Sequence, residues 1–383
     1  MSDATFDEVQ RIHGEKGPAA AIDHLIGVLR GEKRFHQLFD MLLMRKRFEL
    51  GLGLVRPTSL KDVPDDRRDE FEKTYIDTAR HVGELLLADG SIPQAWHYFR
   101  AINEPQPVAA AIEALPDAGS VPEEVVEIAL SQGVAPAKGL KLYLGSHGTC
   151  STITAFDQVS MQLAPEIRKQ CAQTLIRRLY DDLRENVQHD VLRRQPMNPP
   201  GQPLRELIGG REWLFTDDSY HIDVSHLNSV VRFARFLDAG CPELDQALQL
   251  AQYGSRLAQQ YQYAGNPPFD DFYPAHIRFF KVLLDVEREP SLDYFRAKIG
   301  DDVADTDNQL TAYVVVDLLL RIGRRNEALE LASKYLAESA DEFGLSLPEM
   351  CVEAGRLDLL QDLARSKGDV VNFTAALLGS KSP

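Results

Sequence analysis

The chain has 383 residues, 44% of them hydrophobic and 26% charged, a composition that fits a folded protein and excludes a disordered one. Fifty-eight acidic against 42 basic residues give a net charge of −16, which repels phosphate backbones and argues against nucleic acid as a partner. Cys150, Cys171, Cys241 and Cys351 are far apart in sequence and read as free thiols in a reducing compartment, not as a disulfide framework.

Such a length suits two subdomains or an elongated array, since single cores stop growing near ~250–300 residues. The first eight residues are acidic and lack an apolar run, so no signal peptide is expected. No stretch reaches the ~18 apolar residues of a membrane span, and the run Tyr313 to Leu320 is broken by Asp317. The expected location is cytoplasmic and no membrane partner is expected.

Helical periodicity dominates from the start, with short segments punctuated by Gly, Pro and Asp. Gly17-Pro18-Ala19-Ala20-Ala21-Ile22 reads as a turn followed by an Ala-rich helix. Arg45, Lys46 and Arg47 form a small basic patch, read as the solvated last turn of a helix. Gly51-Leu52-Gly53 lacks the spacing of a dinucleotide loop.

Residues 79–107 hold the sharpest pattern. A first helix carries Val82, Gly83 and Leu86, a turn falls at Asp89-Gly90, and a second helix carries Ala95, Phe99 and Ile102 before Pro107. Small residues let two helix backbones approach while large ones fill the space between them. A second copy runs from about 311 to 340, where Gly323 and Ala328 keep the spacing of Gly90 and Ala95. A weaker echo is Glu353-Ala354-Gly355-Arg356, followed by Leu359 and Leu360. The first unit resembles the ~34-residue tetratricopeptide repeat, with Gly83, Gly90, Ala95, Phe99 and Pro107 on its signature positions and Ala79 in place of its leading Trp. The resemblance implies an all-α solenoid of antiparallel helical hairpins, and the prolines between 196 and 203 place a long loop near its middle. The expected division is a helical array at 1–190, a Pro/Gly-rich loop excursion at 191–220 and a second array at 221–383.

That loop contains Pro196, Pro199, Pro200, Pro203 and Gly209-Gly210, then Trp213 and Phe215, which can pin it back onto the helices. After it comes Asp217-Asp218-Ser219-Tyr220-His221-Ile222-Asp223-Val224-Ser225-His226. Fifty residues on, Asp270-Asp271-Phe272-Tyr273-Pro274-Ala275-His276 repeats the Asp-Asp, Tyr, His order ahead of another amphipathic helix. If equivalent helices line one face, His226 and His276 share a groove with Asp223 or Asp271 close by, able to bind a ligand or act as acid and base. Were a metal bound, His226 and His276 would be its ligands, although no zinc signature occurs. The competing reading is capping and packing, with Asp223 as a helix cap.

Arg211 and Arg278 are available for an anionic group, and Tyr220, His221 and Tyr273 complete the candidate set. Gly145 to Ser151, with His147 and Cys150, reads as a loop before a helix that can hold an anion or a thiol nucleophile, or serve only as a cap. Tyr253, Tyr261, Tyr263 and Phe269 form an aromatic cluster expected to pack a hairpin turn.

Two functional expectations follow. By analogy with such repeats, the scaffold holds a protein or peptide partner in a concave groove, and the acidic balance favours a basic one. Alternatively, it is an enzyme or a small-ligand or metal-binding protein with a pocket between loop 195–220 and the helices starting near His226 and His276. Neither a cofactor nor an oligomeric state can be read from the residues.

Overall fold

A computed structural model describes residues 3–117, 121–197, 201–216 and 219–379. Pro199, Pro200, Asp217 and Asp218 of the motifs above therefore lie outside the described residues. Among the described residues the regular elements are all helices, nineteen of them α-helices, and the nearest approach to a strand is an isolated bridge between Ala264 and Asp271. Helices pack chiefly on their neighbours in the chain. The chain forms two compact units, Met1–Gly148 and Thr149–Pro383. Among the described residues no helix is long and apolar enough to cross a membrane.

One connection recurs. Helix pairs Pro18–Gly31 with Phe35–Glu49, Asp65–Ala88 with Ile92–Ala101, Thr306–Arg321 with Arg325–Tyr335, and Leu347–Glu353 with Leu357–Lys367 are each joined by three residues. The middle residue of each link, Lys33, Gly90, Gly323 or Gly355, has φ between 56° and 80°. The next amide then reaches back five residues: Arg34 N to Leu29 O, Ser91 N to Leu86 O, Arg324 N to Leu319 O and Arg356 N to Cys351 O, at 2.8–2.9 Å. This is the Schellman closure, which satisfies carbonyls that a helix end leaves orphaned. Five residues past each left-handed residue lies a buried one, Leu38, Ala95, Ala328 or Leu360, so the turn also sets which face of the second helix packs.

In the first unit the cluster around Leu38, Leu43, Phe71, Val82, Ala95 and Phe99 forms the core. A Cβ on Gly83 would stand 2.6 Å from Cε2 of Phe99, so the glycine is what permits this helix crossing. The basic patch divides by burial. Lys46 pairs with Glu70 at 2.6 Å, but Arg47 is fully buried. Its guanidinium donates to Gly53 O and Ser59 O at 2.5 and 2.7 Å and pairs with Asp62, tying down the link 50–64. The solvated helix end expected there is thus in part an internal staple, because the link after Glu49 offers carbonyls that only a long cationic side chain can satisfy.

The second unit is organised on the 30-residue helix Pro165–Arg194. The described part of the 191–220 excursion runs without helix from Gln195 to Pro203 and is partly helical after it. It contains the helix Leu204–Ile208 and a 3₁₀ turn Glu212–Phe215, because Leu204, Leu207, Ile208 and Leu214 are apolar and bury. Leu204 N donates to Tyr180 Oη and Arg205 N to Gln249 Oε1. Trp213 and Phe215 do anchor it: Arg194 lies 4.3 Å over the Trp213 ring and Arg256 lies 4.2 Å over Phe215.

Candidate functional site

The predicted residues divide by their partners. Asp223 caps the helix Val224–Phe233, accepting from Ser225 N at 2.8 Å and His226 N at 3.2 Å, and its carboxyl is held below the usual range chiefly by the Ser225 hydroxyl, which donates to Oδ1 at 2.5 Å, with the backbone bonds adding to it. Both readings met at this residue, and capping describes what it does. His221 joins a buried chain. Tyr253 Oη accepts from His221 N and bonds Nδ1, both at 2.9 Å, while Nε2 faces Asp190 at 3.5 Å. Burial pushes the His221 imidazole below its ordinary pKa against the opposing pull of Asp190. This chain locks the segment leading to the helix rather than presenting a reactive imidazole.

Tyr220 is exposed and sits edge-on to Tyr261. Asp271 accepts from Tyr294 Oη and from Lys298 Nζ, the latter at 2.9 Å. Tyr273 is buried and donates to Asn228 Oδ1 at 2.5 Å. The two expected anion ligands are engaged elsewhere. Arg211 donates to Glu206 O and Leu207 O, and Arg278 pairs with Glu287 at 3.2 Å. The expected loop at Gly145–Ser151 is helical on both sides of Gly148, where φ of 76° interrupts the run Pro136–Val159. His147 stacks on Tyr143 there, and Cys150 is exposed. Among the described residues no group of three or more His, Cys, Asp or Glu side chains is placed to hold a metal ion.

A pocket of about 910 Å³ does open in the second unit. One wall is the helix Val224–Phe233, whose Ser225, Asn228, Ser229 and Arg232 recur at three- and four-residue spacing and so share a face, while Leu227, Val230 and Val231 bury on the other. Arg235, in the 3₁₀ turn Ala234–Phe236, extends that wall. Phe272 and His276 come from the helix Phe272–Leu283, and Leu310, Tyr313 and Val314 from Thr306–Arg321. The rim is the loop 260–269, with Tyr261, Tyr263 and Phe269. None of the described residues of 195–220 lines it.

The loop is braced from below. Lys298 Nζ donates to Pro268 O at 2.8 Å and pairs with Asp270 at 2.7 Å, and Gln262 Nε2 donates to Gly254 O and Leu257 O. Of the aromatic cluster expected to pack a hairpin turn, Tyr261, Tyr263 and Phe269 stand on the rim, whereas Tyr253 is buried against His221. The opposite end is gripped by Arg321, which donates to Arg235 O and Leu237 O at 2.6 and 2.9 Å.

Two groups set the electrostatics. Half-buried Arg235 lies 4.7 Å over the Phe269 ring and donates Nε–H to Arg232 O at 3.3 Å. Burial and the Arg232 charge push its pKa down to about 10. His276 is 1% exposed, its ring 4.5 Å from Phe269 and 4.3 Å from Phe272. Nδ1 lies 2.7 Å from Phe272 O, a pure acceptor, so Nδ1 carries the proton and Nε2 presents a lone pair. That buried Nε2 has no partner among the described residues. Burial, reinforced by Arg235, drives the imidazole down to about 3, so it stays neutral.

Of the nine main candidates, only His276 borders this pocket; His226 does not. Sequence reasoning missed Arg232, Arg235 and Tyr313. The available signal was the polar face of Val224–Phe233 running into an arginine pair at 232 and 235. No family model, no curated protein and no solved structure matches the chain.

Proposed function

We propose that this chain is a helical-repeat binding protein of tetratricopeptide-like architecture, and that its second unit holds a small organic molecule in the pocket beneath loop 260–269. The recurring three-residue link supports the repeat reading. The observation that carries the functional reading is the pocket itself. Its volume of about 910 Å³ lies within the ~300–1,000 Å³ typical of ligand sites. Its walls combine aromatic rings with a few convergent polar groups, the composition such sites need. It favours the small-ligand reading over a peptide scaffold, because the loop folds across the helix faces and bounds the space.

Ligand-observed NMR with a mixed set of aromatic fragments tests this. The parent chain is expected to give saturation transfer to several fragments. Val314→Trp and Ser229→Trp, which fill the pocket from two different helices, are expected to abolish it while remaining folded. Fragment binding unchanged in both filled variants would place the site elsewhere and end this reading.

A further inference from the structure

The pocket is charged against the trend of its chain. With 58 acidic residues in 383, about three would be expected among the twenty that line it, yet none is Asp or Glu and two are Arg. Neighbouring carboxylates are already engaged. Asp157 pairs with Arg232 at 2.9 Å, Asp317 is held bidentately by Arg321 at 2.9 Å, and Asp238 pairs with Lys169 at 2.9 Å. Arg235 has no carboxylate within 4 Å among the described residues. It rests on Phe269 beside a histidine that stays neutral, so the pocket holds one cation in excess. An arginine partly removed from water and left unneutralised is costly unless a ligand completes it. A neutral ligand would leave that charge unmet. A bare inorganic anion would leave the walls of Tyr261, Tyr263, Phe269 and Tyr313 empty. Both demands are met by one class of compound.

Resting on the pocket reading above, we propose that the ligand is a planar ring compound bearing an oxyanion, a carboxylate or a phosphate, with the oxyanion on Arg235 and the ring against the aromatic wall. A guanidinium suits either oxyanion because its planar fork donates in pairs. Asn228, Gln260 and Asn266 on the walls supply neutral hydrogen bonding for the rest of the ring substituents.

Calorimetric titration of the parent chain with indole-3-acetate, adenosine monophosphate, their neutral counterparts indole-3-acetamide and adenosine, and inorganic phosphate alone tests this. At least one anionic ring probe is expected to bind roughly tenfold or more tightly than its neutral counterpart, the discrimination that a charged hydrogen-bond pair provides. Which probe does so separates carboxylate from phosphate. Arg235→Gln is expected to erase the preference, and Arg235→Lys, which keeps the charge, to retain part of it and so separate lost binding from lost folding. Equal affinity for charged and neutral counterparts, a preference that survives Arg235→Gln, or phosphate alone binding as well as the ring probes would each overturn the inference. If charged and neutral probes bind alike and Val314→Trp abolishes both, the pocket stands and only the oxyanion falls. Failure of all five probes overturns the oxyanion inference, while the fragment experiment still decides the pocket.

Discussion

Replacing Gly83 by Ala sets two effects of opposite sign against each other. Gly83 is buried inside the helix Asp65–Ala88, where alanine would ordinarily gain about 1 kcal/mol of helix stability. Here the new methyl would stand 2.6 Å from Cε2 and 2.9 Å from Cζ of Phe99. Ordinary carbon contacts lie near ~3.5–4.0 Å, so roughly 1 Å must be found. Phe99 is fully buried and its stiff ring has nowhere to move. Overpacking of this kind costs about 1–3 kcal/mol, so after the propensity gain the net expectation is a loss of up to about 2 kcal/mol and a fall of up to ~8 °C in Tm. The assay is urea unfolding followed by Trp96 fluorescence in a Trp213→Phe background, which leaves one indole, in the first unit. In a Phe99→Leu background, which vacates the clashing atoms, the same change is expected to stabilise. A parent chain made more stable by Gly83→Ala would refute the claim that this crossing sets the hairpin.

The remaining predictions concern other buried groups. Gly254→Ala is expected to destabilise the second unit by about 1–3 kcal/mol, because its Cβ would lie 2.1 Å from the Tyr273 ring; calorimetry checks this. Tyr253→Phe leaves His221 N without its acceptor and is expected to cost ~1–2 kcal/mol in chemical denaturation. Arg47→Met orphans two carbonyls and is expected to cost about 3 kcal/mol, with earlier protease cleavage between residues 50 and 64. His276 supplies a pH dependence. Its folded pKa of about 3 lies below the ~6.5 of an unfolded histidine, so the unfolded chain takes up a proton first as pH falls. Its contribution is intact above pH ~6.5 and erodes by about 1.4 kcal/mol per pH unit below that, down to about pH 3. Stability of the parent relative to His276→Phe should follow that slope between pH 6 and 4. A flat difference would contradict the buried, neutral assignment.

The hairpins were legible wherever glycine marked the left-handed turn. Gly90, Gly323 and Gly355 stand out because they adopt φ > 0 without steric cost. The same turn at Lys33 was invisible, since lysine carries no such signal and tertiary packing holds it at φ 56°. Gly17, the glycine that marks a turn in that region of the sequence, joins Asp3–Lys16 to Pro18–Gly31 through a different, single-residue break. In the proline-rich stretch the prolines suggest loop, while the buried Leu204, Leu207, Ile208 and Leu214 account for the short helix and 3₁₀ turn that follow. The matching Asp-Asp, Tyr, His segments lead into Val224–Phe233 and Phe272–Leu283, two of the helices that line the pocket. Type alone, however, does not distinguish a side chain that caps, as Asp223 does, from one that faces a cavity, as His276 does. Arg235 was hidden because its significance lies in the absence of a neighbouring carboxylate, which depends on chain segments as distant as Asp317.

The most direct test of the pocket and its charge is a crystal structure of the chain soaked with indole-3-acetate. The expected result places the indole beneath loop 260–269, between Phe269 and Tyr313, with a carboxylate oxygen ~3 Å from the Arg235 guanidinium. Indole-3-acetate bound outside this pocket, or bound within it with its carboxylate turned away from Arg235, would contradict the account.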